Sequence, residues 1–220
     1  MPLFPVFLDL SGRRCLVVGG GPVGCAKAAA LTAAGARVVL LDPSPSAPAH
    51  SLPSTARLLV EARGFTAEDC NGCVLVFACT GDEAVNSEVA RSAAAAGVLC
   101  CRSDGGDSDF STGALLRRGE FCVAASSGGT SPVLAVAARD RIAETIGEEF
   151  GVAARMLGEL REQLRKAVPD TAARAATLRA APVEQVLGAL REGRDEEARA
   201  LLRTEFGAAE RAGEEGSCTR

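Results

Sequence analysis

The sequence predicts an α/β fold: a parallel sheet whose strands alternate with helices, then a short segment of changed pattern, then a helical remainder. Three observations carry this prediction. The apolar runs Cys15–Val18, Val38–Leu41 and Val74–Ala78 are continuous rather than alternating, as in parallel strands covered on both faces. A glycine-rich stretch separates the first run from the alanine-rich helix former Ala26 to Ala34, which Gly35 closes. From Val152 onward, apolar residues recur at three- and four-residue spacing, with Arg and Glu on the intervening faces.

Taken in order, Leu3-Phe4-Pro5-Val6-Phe7-Leu8 is apolar and is expected to lie against the domain ahead of the first strand. Pro2 and Pro5 argue against a central strand there. After Val18 comes Gly19-Gly20-Gly21-Pro22-Val23-Gly24, in which Gly19, Gly21 and Gly24 fit G-x-G-x-x-G between strand and helix. A side chain at these positions would obstruct the tight turn, the approach of a pyrophosphate or the packing of helix on strand. The run Val38–Leu41 ends at Asp42, 18 residues beyond Gly24, where an acid is placed to accept from a ribose 2'-OH. This order defines a Rossmann-type dinucleotide site made of Gly19, Gly21, Pro22, Val23, Gly24 and Asp42. Asp42 would repel a 2'-phosphate and Pro43-Ser44 supply no cation, so NAD is favoured over NADP.

Beyond Asp42, a Pro/Ser-rich loop carries His50, and Arg57–Glu61 reads as a third strand. Cys70-Asn71-Gly72-Cys73 reads as a turn before the strongest strand, since no second C-x-x-C and no nearby histidine complete a metal or redox site. Thr80-Gly81-Asp82-Glu83 reads as a capping box, with Thr80 as cap and Glu83 reaching back, opening a helix that has Val85 and Val89 on one face and stops at Gly97. Thr80, at a strand end beside the first strand, is also a candidate cofactor contact. Val98–Cys101 is a further strand that delivers Arg102-Ser103-Asp104 to the carboxyl edge, where open α/β sheets bind ligands.

The pattern then changes. Gly105 to Asp109 is a polar loop and Phe121–Ala125 another strand. Ser126-Ser127-Gly128-Gly129-Thr130-Ser131-Pro132 leads into a helix with Ser131 as cap and Pro132 at its first position. Leu134, Ala138, Ile142 and Ile146 form an expected buried stripe. Val152, Met156, Leu160, Leu164 and Val168 form the next stripe, followed by Val183, Val186, Leu187 and Leu190, then Leu201, Leu202 and Phe206. Arg211 to Arg220 reads as a loose tail.

Composition removes whole classes of function. A net charge of -4 and a pI near 5.2 argue against nucleic acid as a partner. No apolar run approaches a membrane span and the first ten residues lack a basic start, so a cytoplasmic protein is expected. Nine cysteines, an odd number lying mostly in predicted elements, are read as reduced thiols, and no metal site is expected. The single histidine sits in a loop and there is no tyrosine, which excludes a Tyr-Lys dehydrogenase and disfavours a Ser-His-Asp triad.

Together, Leu3-Phe4-Pro5-Val6-Phe7, Leu16-Val17-Val18-Gly19-Gly20-Gly21, Ala78-Cys79-Thr80 with Val85-Asn86, and the Ser126 to Pro132 run resemble the siroheme synthase amino-terminal domain family, over roughly residues 1 to 147. The resemblance implies a homodimer that oxidises precorrin-2 to sirohydrochlorin with NAD, and in some members inserts ferrous iron. It implies that Asp104 is the key aspartate, a general base for proton removal. The family's Asn-Val-Val-Asp reads Cys101-Arg102-Ser103-Asp104 here, and its Phe-x-x-Pro reads Phe110-Ser111-Thr112-Gly113. These departures count against ferrochelatase activity more than against cofactor binding. The tetrapyrrole's carboxylates are expected to meet Arg102, Arg117, Ser127, Gly129, Thr130 and Ser131, with Arg118 a further candidate cation.

The expected organisation is an NAD-binding domain over 1–112, a dimerisation segment over 113–147 and a helical domain over 148–220. A regulatory module that binds NAD without chemistry is the alternative function. A generic hydroxy- or amino-acid dehydrogenase is disfavoured, because Lys27 and Lys166 both fall in helices and no histidine or tyrosine stands at a sheet edge.

Overall fold

The computed structural model describes residues 3–45 and 56–204 and divides into two compact units, Met1–Thr112 and Gly113–Arg220. His50, Phe206 and the tail from Arg211 lie outside the described residues.

In the first unit, strands β1 (Arg14–Val18), β2 (Arg37–Leu41), β3 (Leu58–Glu61), β4 (Cys73–Ala78) and β5 (Leu99–Arg102) form one parallel sheet in the order β3-β2-β1-β4-β5. Helices α1 (Pro22–Ala33) and α2 (Glu83–Ala95) cover it. The continuous apolar runs follow from this double cover, because successive side chains face opposite layers. Cys15 and Val17 pack with Cys25, Ala28 and Leu31 of α1, whereas Leu16 and Val18 pack with Val89 and Ala93 of α2. Strand order reverses between β1 and β4, so the crevice of this sheet opens at the carboxyl ends of those two strands.

A short 3-10 turn, Ala67–Cys70, precedes β4 and is closed by a capping box between Thr66 and Asp69. Asp69 also receives a two-pronged bond from Arg63 at 2.8 and 2.7 Å. The Arg63 guanidinium holds the Asp69 carboxyl below the usual carboxylate range. Cys70 and Cys73 are the expected turn: both are buried, and burial pushes the Cys70 thiol up to about 11. All eight described cysteines are free, and no metal-holding cluster of side chains is present among the described residues.

In the second unit, β6 (Ala114–Arg118) and β7 (Phe121–Ala125) pair as an antiparallel hairpin on which α3 (Pro132–Ala143) lies. Helices α4 (Glu149–Ala167), α5 (Thr171–Ala180) and α6 (Val183–Arg191), with a helical run over 195–204, enclose a core of Met156, Leu160, Leu164, Val168, Val186 and Leu187. These are the residues of the expected stripes, except that Val183 is 40 % exposed.

Three expectations are corrected. Leu3 to Leu8 do not lie against the domain: Phe4 is 87 % and Phe7 73 % exposed. The cap of α2 is Asp82, whose carboxylate accepts from Ala84 N-H at 2.8 Å, because the helix starts at Glu83 and Thr80 is drawn to Asn86 instead. The α3 stripe is not buried within the chain. Leu134 is 63 % exposed, Ala138, Ile142 and Ile146 are half-buried, and only Ala135 of the helix is buried.

The Asp69 fork makes a pH-dependent contribution to stability. A carboxyl held below its unfolded value of about 3.9 stabilises the fold fully above that pH and loses the contribution as pH falls towards the folded value. Urea unfolding of Asp69→Asn should show a clear loss of stability against the parent at pH 7, and the gap should narrow steadily below pH ~4. A gap independent of pH would mean that the ion pair contributes nothing.

Candidate functional site

The glycine loop has three distinct local reasons for its three glycines. Gly19 adopts φ +107°, and a Cβ there would stand 2.5 Å from the Cys79 carbonyl oxygen and 2.8 Å from Thr80 N, so β1 leaves the sheet pressed against the end of β4. At Gly24 a Cβ would overlap the Gly19 carbonyl, which is how closely α1 returns onto the turn. A Cβ at Gly21 would meet nothing within 4 Å. That opening, at the start of a helix with no side-chain cap, is the space and the set of outward N-H groups that a pyrophosphate needs. Pro22 occupies the first helical position, where a missing N-H costs nothing, and Val23 is half exposed beside it.

Asp42 ends β2 next to this loop. Its Oδ2 accepts from Gly20 N-H at 2.6 Å and its Oδ1 from Ser44 N-H at 2.8 Å. The acid is therefore part of the loop's scaffold. Gly19, Gly21, Pro22, Val23, Gly24 and Asp42 are thus brought together, and their arrangement fits a dinucleotide: an open cradle, a helix start and a terminal acid.

Thr80 and Asp104 are joined by Asn86, a residue quoted in the resemblance but given no role there. Asn86 is fully buried and spends its whole amide there. Its Oδ1 accepts from Thr80 N-H at 3.1 Å and from the Thr80 hydroxyl at 2.8 Å; its Nδ2 donates to Thr80 O at 3.1 Å and to Asp104 Oδ2 at 3.0 Å. The signal was available in sequence: Asn86 stands three residues before Val89 on the face that packs on the sheet, and a buried amide requires partners.

Asp104 receives further bonds. Arg102 donates from Nε to Oδ1 at 2.9 Å and from Nη2 to Oδ2 at 2.8 Å. The Arg102 fork, with Asn86 beside it, holds the carboxyl far below the usual carboxylate range. Arg102, expected to meet substrate, pairs with Asp104 inside the unit, with 11 % of its side chain exposed. Lys27 reaches further than its helical position suggested: Nζ donates to Thr112 Oγ1 at 2.7 Å, lies 5.8 Å from the Phe77 ring and is felt electrostatically by Cys79 and Cys101. Burial pushes both thiols up, so neither is a ready nucleophile.

A groove lies elsewhere in this unit, at the amino ends of the strands, lined by Arg14, Arg37, Arg57 and Asn71. Ligands of open parallel sheets sit at the opposite, carboxyl edge, so the crevice between β1 and β4 is the candidate site.

The remaining expected contacts belong to the second unit. Ser127 Oγ donates to Ser131 O and accepts from Ser131 N-H, both at 2.9 Å, and Thr130 Oγ1 donates to Ser127 O at 2.6 Å. Gly128 and Gly129 take φ +65° and +83°, so the loop is a self-bonded turn that Ser131 continues into α3 as its cap. Arg117 is exposed; Arg118 donates to Ile146 O and pairs with Glu148.

Fold and site define a dinucleotide-binding α/β protein, and comparison with known proteins narrows the class. Residues 6–114 match the family described as "Putative NAD(P)-binding". The chain is 39% identical over 175 residues to the siroheme synthase of Methylococcus capsulatus, covering 79% of this chain and 37% of that protein. It is 33% identical over 216 residues to that of Chromobacterium violaceum, covering 97% and 46%. In fold it is similar to SirC, precorrin-2 dehydrogenase, with a TM-score of 0.72 at 22% identity over 92% of this chain and 100% of the other. The chain belongs to the siroheme synthase amino-terminal domain family. It spans between about a third and a half of the length of these two synthases. Among the described residues no helix is long and apolar enough to cross a membrane.

The three glycines separate binding from folding. Gly21→Val should leave the melting temperature nearly unchanged and abolish binding of NAD, because the added side chain fills only the open cradle. Gly24→Ala should lower the melting temperature sharply, since its Cβ meets the Gly19 carbonyl. Calorimetry beside a dinucleotide titration checks both, and a Gly21→Val protein that still binds would refute the placement of the pyrophosphate.

Proposed function

We propose that this chain oxidises precorrin-2 to sirohydrochlorin with NAD as hydride acceptor. The observation that supports the reading is the bridge through Asn86, which bonds both Thr80, just beyond β4, and Asp104, just beyond β5, in a chain of this family. The names of the similar proteins, siroheme synthase and precorrin-2 dehydrogenase, support the substrate.

Gly19, Gly21, Pro22, Val23 and Gly24 would hold the pyrophosphate and Asp42 a ribose hydroxyl, with Thr80 beside the adenosine half. NAD, when bound, supplies the acceptor for a hydride. Asp104 is the catalytic carboxylate, held at the carboxyl edge by Asn86. Arg117 and the Ser127, Gly129, Thr130 and Ser131 loop of the second unit supply cations and donors for the carboxylates of the tetrapyrrole. The eight free thiols among the described residues suit a reducing compartment, and the reading implies the cytoplasm.

A homodimer belongs to this proposal, with residues 113–147 as the dimerisation segment and 148–220 as a helical domain. Its support is the apolar face of α3, where Val133, Leu134 and Val136 stand exposed. A second copy of the chain is the occupant proposed for that face. Light scattering at micromolar concentration should give twice the chain mass, and Leu134→Asp should give the single mass.

Anaerobic assay with precorrin-2 and NAD tests the activity directly. NADH should form, NAD should bind more tightly than NADP because of Asp42, and Asp104→Ala should lower the rate about 100-fold or more with NAD affinity unchanged. Tight NAD binding with no turnover of the tetrapyrrole would leave a non-catalytic module.

A further inference from the structure

Arg102 ends β5, and its guanidinium folds back beneath the turn that follows. Besides the two bonds to Asp104, Nη1 donates to Ser87 Oγ on α2 at 3.0 Å. The planar group has room because residue 106 is glycine: a Cβ there would overlap the guanidinium. Ser108 Oγ accepts from Arg102 N-H at 2.9 Å and donates to Gly106 O at 3.2 Å, while Gly106 N-H donates to Asp104 Oδ1 at 3.3 Å. The turn is built around the fork, and 22 % of the Asp104 side chain remains exposed.

We propose that Arg102 is a positioning residue that keeps Asp104 a fixed anion, so that the carboxylate serves the reaction by its charge and not by accepting a proton. The inference rests on the dehydrogenase reading above and revises the general-base role that the family resemblance implies. A base needs a lone pair with room for the proton, and here both oxygens lie in an arginine fork while Oδ2 also accepts from Asn86. Protonation would break at least one charge-assisted bond. A carboxylate already aimed costs no reorganisation, and dehydrogenation creates the charge for it to meet. Two electrons leave a C-H bond of the macrocycle as hydride to the dinucleotide, the macrocycle becomes one unit more positive, and the proton that restores neutrality departs to water. The other charges felt at this corner are Glu83 and Asp107, through Arg102, and Lys27, through Cys79.

The test combines a titration with kinetics on the full chain. With aspartate carboxyl carbons labelled and the Asp104 resonance assigned by Asp104→Asn, NMR should show the parent carboxylate ionised to the lowest pH at which the fold persists. In Arg102→Gln the midpoint should move up to the ordinary range of about 4. With precorrin-2 and NAD, Arg102→Gln should lower kcat about 10- to 100-fold at unchanged KM, and Arg102→Lys, which keeps the charge but not the fork, should fall between. An ordinary or raised midpoint in the parent overturns the proposal without recourse to any variant. So does a faster Arg102→Gln enzyme, which would mean a base set free, or a raised KM at constant kcat, which would mean that Arg102 binds substrate. Absence of NADH formation by the parent overturns the dehydrogenase reading alone, and the titration then decides the fixed-anion claim by itself.

Discussion

The first unit depends on one close approach: the carbonyl of Gly19 lies where a side chain on residue 24 would stand, and Gly19 itself presses on the Cys79–Thr80 peptide. These two contacts let α1 dock directly over the end of β1 and let β4 run beside it without a gap. The ladder continues through them, with Gly19 N-H bonded to Leu41 O at 2.8 Å and Cys79 N-H to Val18 O at 2.7 Å. Ordinary side chains at either glycine would push strand, turn and helix apart, and the crevice would lose its floor. Gly21 is free of that constraint, since a Cβ there meets nothing within 4 Å.

The far side of the crevice is built by hydrogen bonding rather than by close packing. Asn86 ties the end of β4 to the turn after β5, and every hydrogen-bonding position of its amide is used. A buried amide is costly unless satisfied, so the network is cooperative: Thr80, Asn86, Asp104 and Arg102 stand or fall as a group. This explains why Thr80 does not cap the helix and why the Arg102 guanidinium turns inward to Asp104 and Ser87. It also means that the local departure Cys101-Arg102-Ser103-Asp104 is an internal solution, completed by Gly106 and Ser87.

The second unit divides its apolar residues differently. The long α4 and the short α6 bury their stripes against each other, whereas α3 buries only Ala135 and leaves Val133, Leu134 and Val136 exposed. A periodic stripe reports that a face is to be covered; it does not report whether the same chain covers it.

The sequence by itself determined the parallel sheet, the glycine loop with Asp42 at the end of β2, the turn at Cys70–Cys73 before β4 and the α4 and α6 stripes. In each case the signal is local: a continuous run, a required absence of Cβ, or a helical period. Tertiary structure alone decided the exposure of Phe4, Phe7 and Leu134, the move of the α2 cap to Asp82, the reach of Lys27 to Thr112, and the capture of Arg102 by Asp104 and Ser87. Those outcomes depend on which groups meet across separate strands and helices. A guanidinium two residues from a carboxylate reads in sequence as a charge free for a ligand, and only the turn over Gly106 folds it inward.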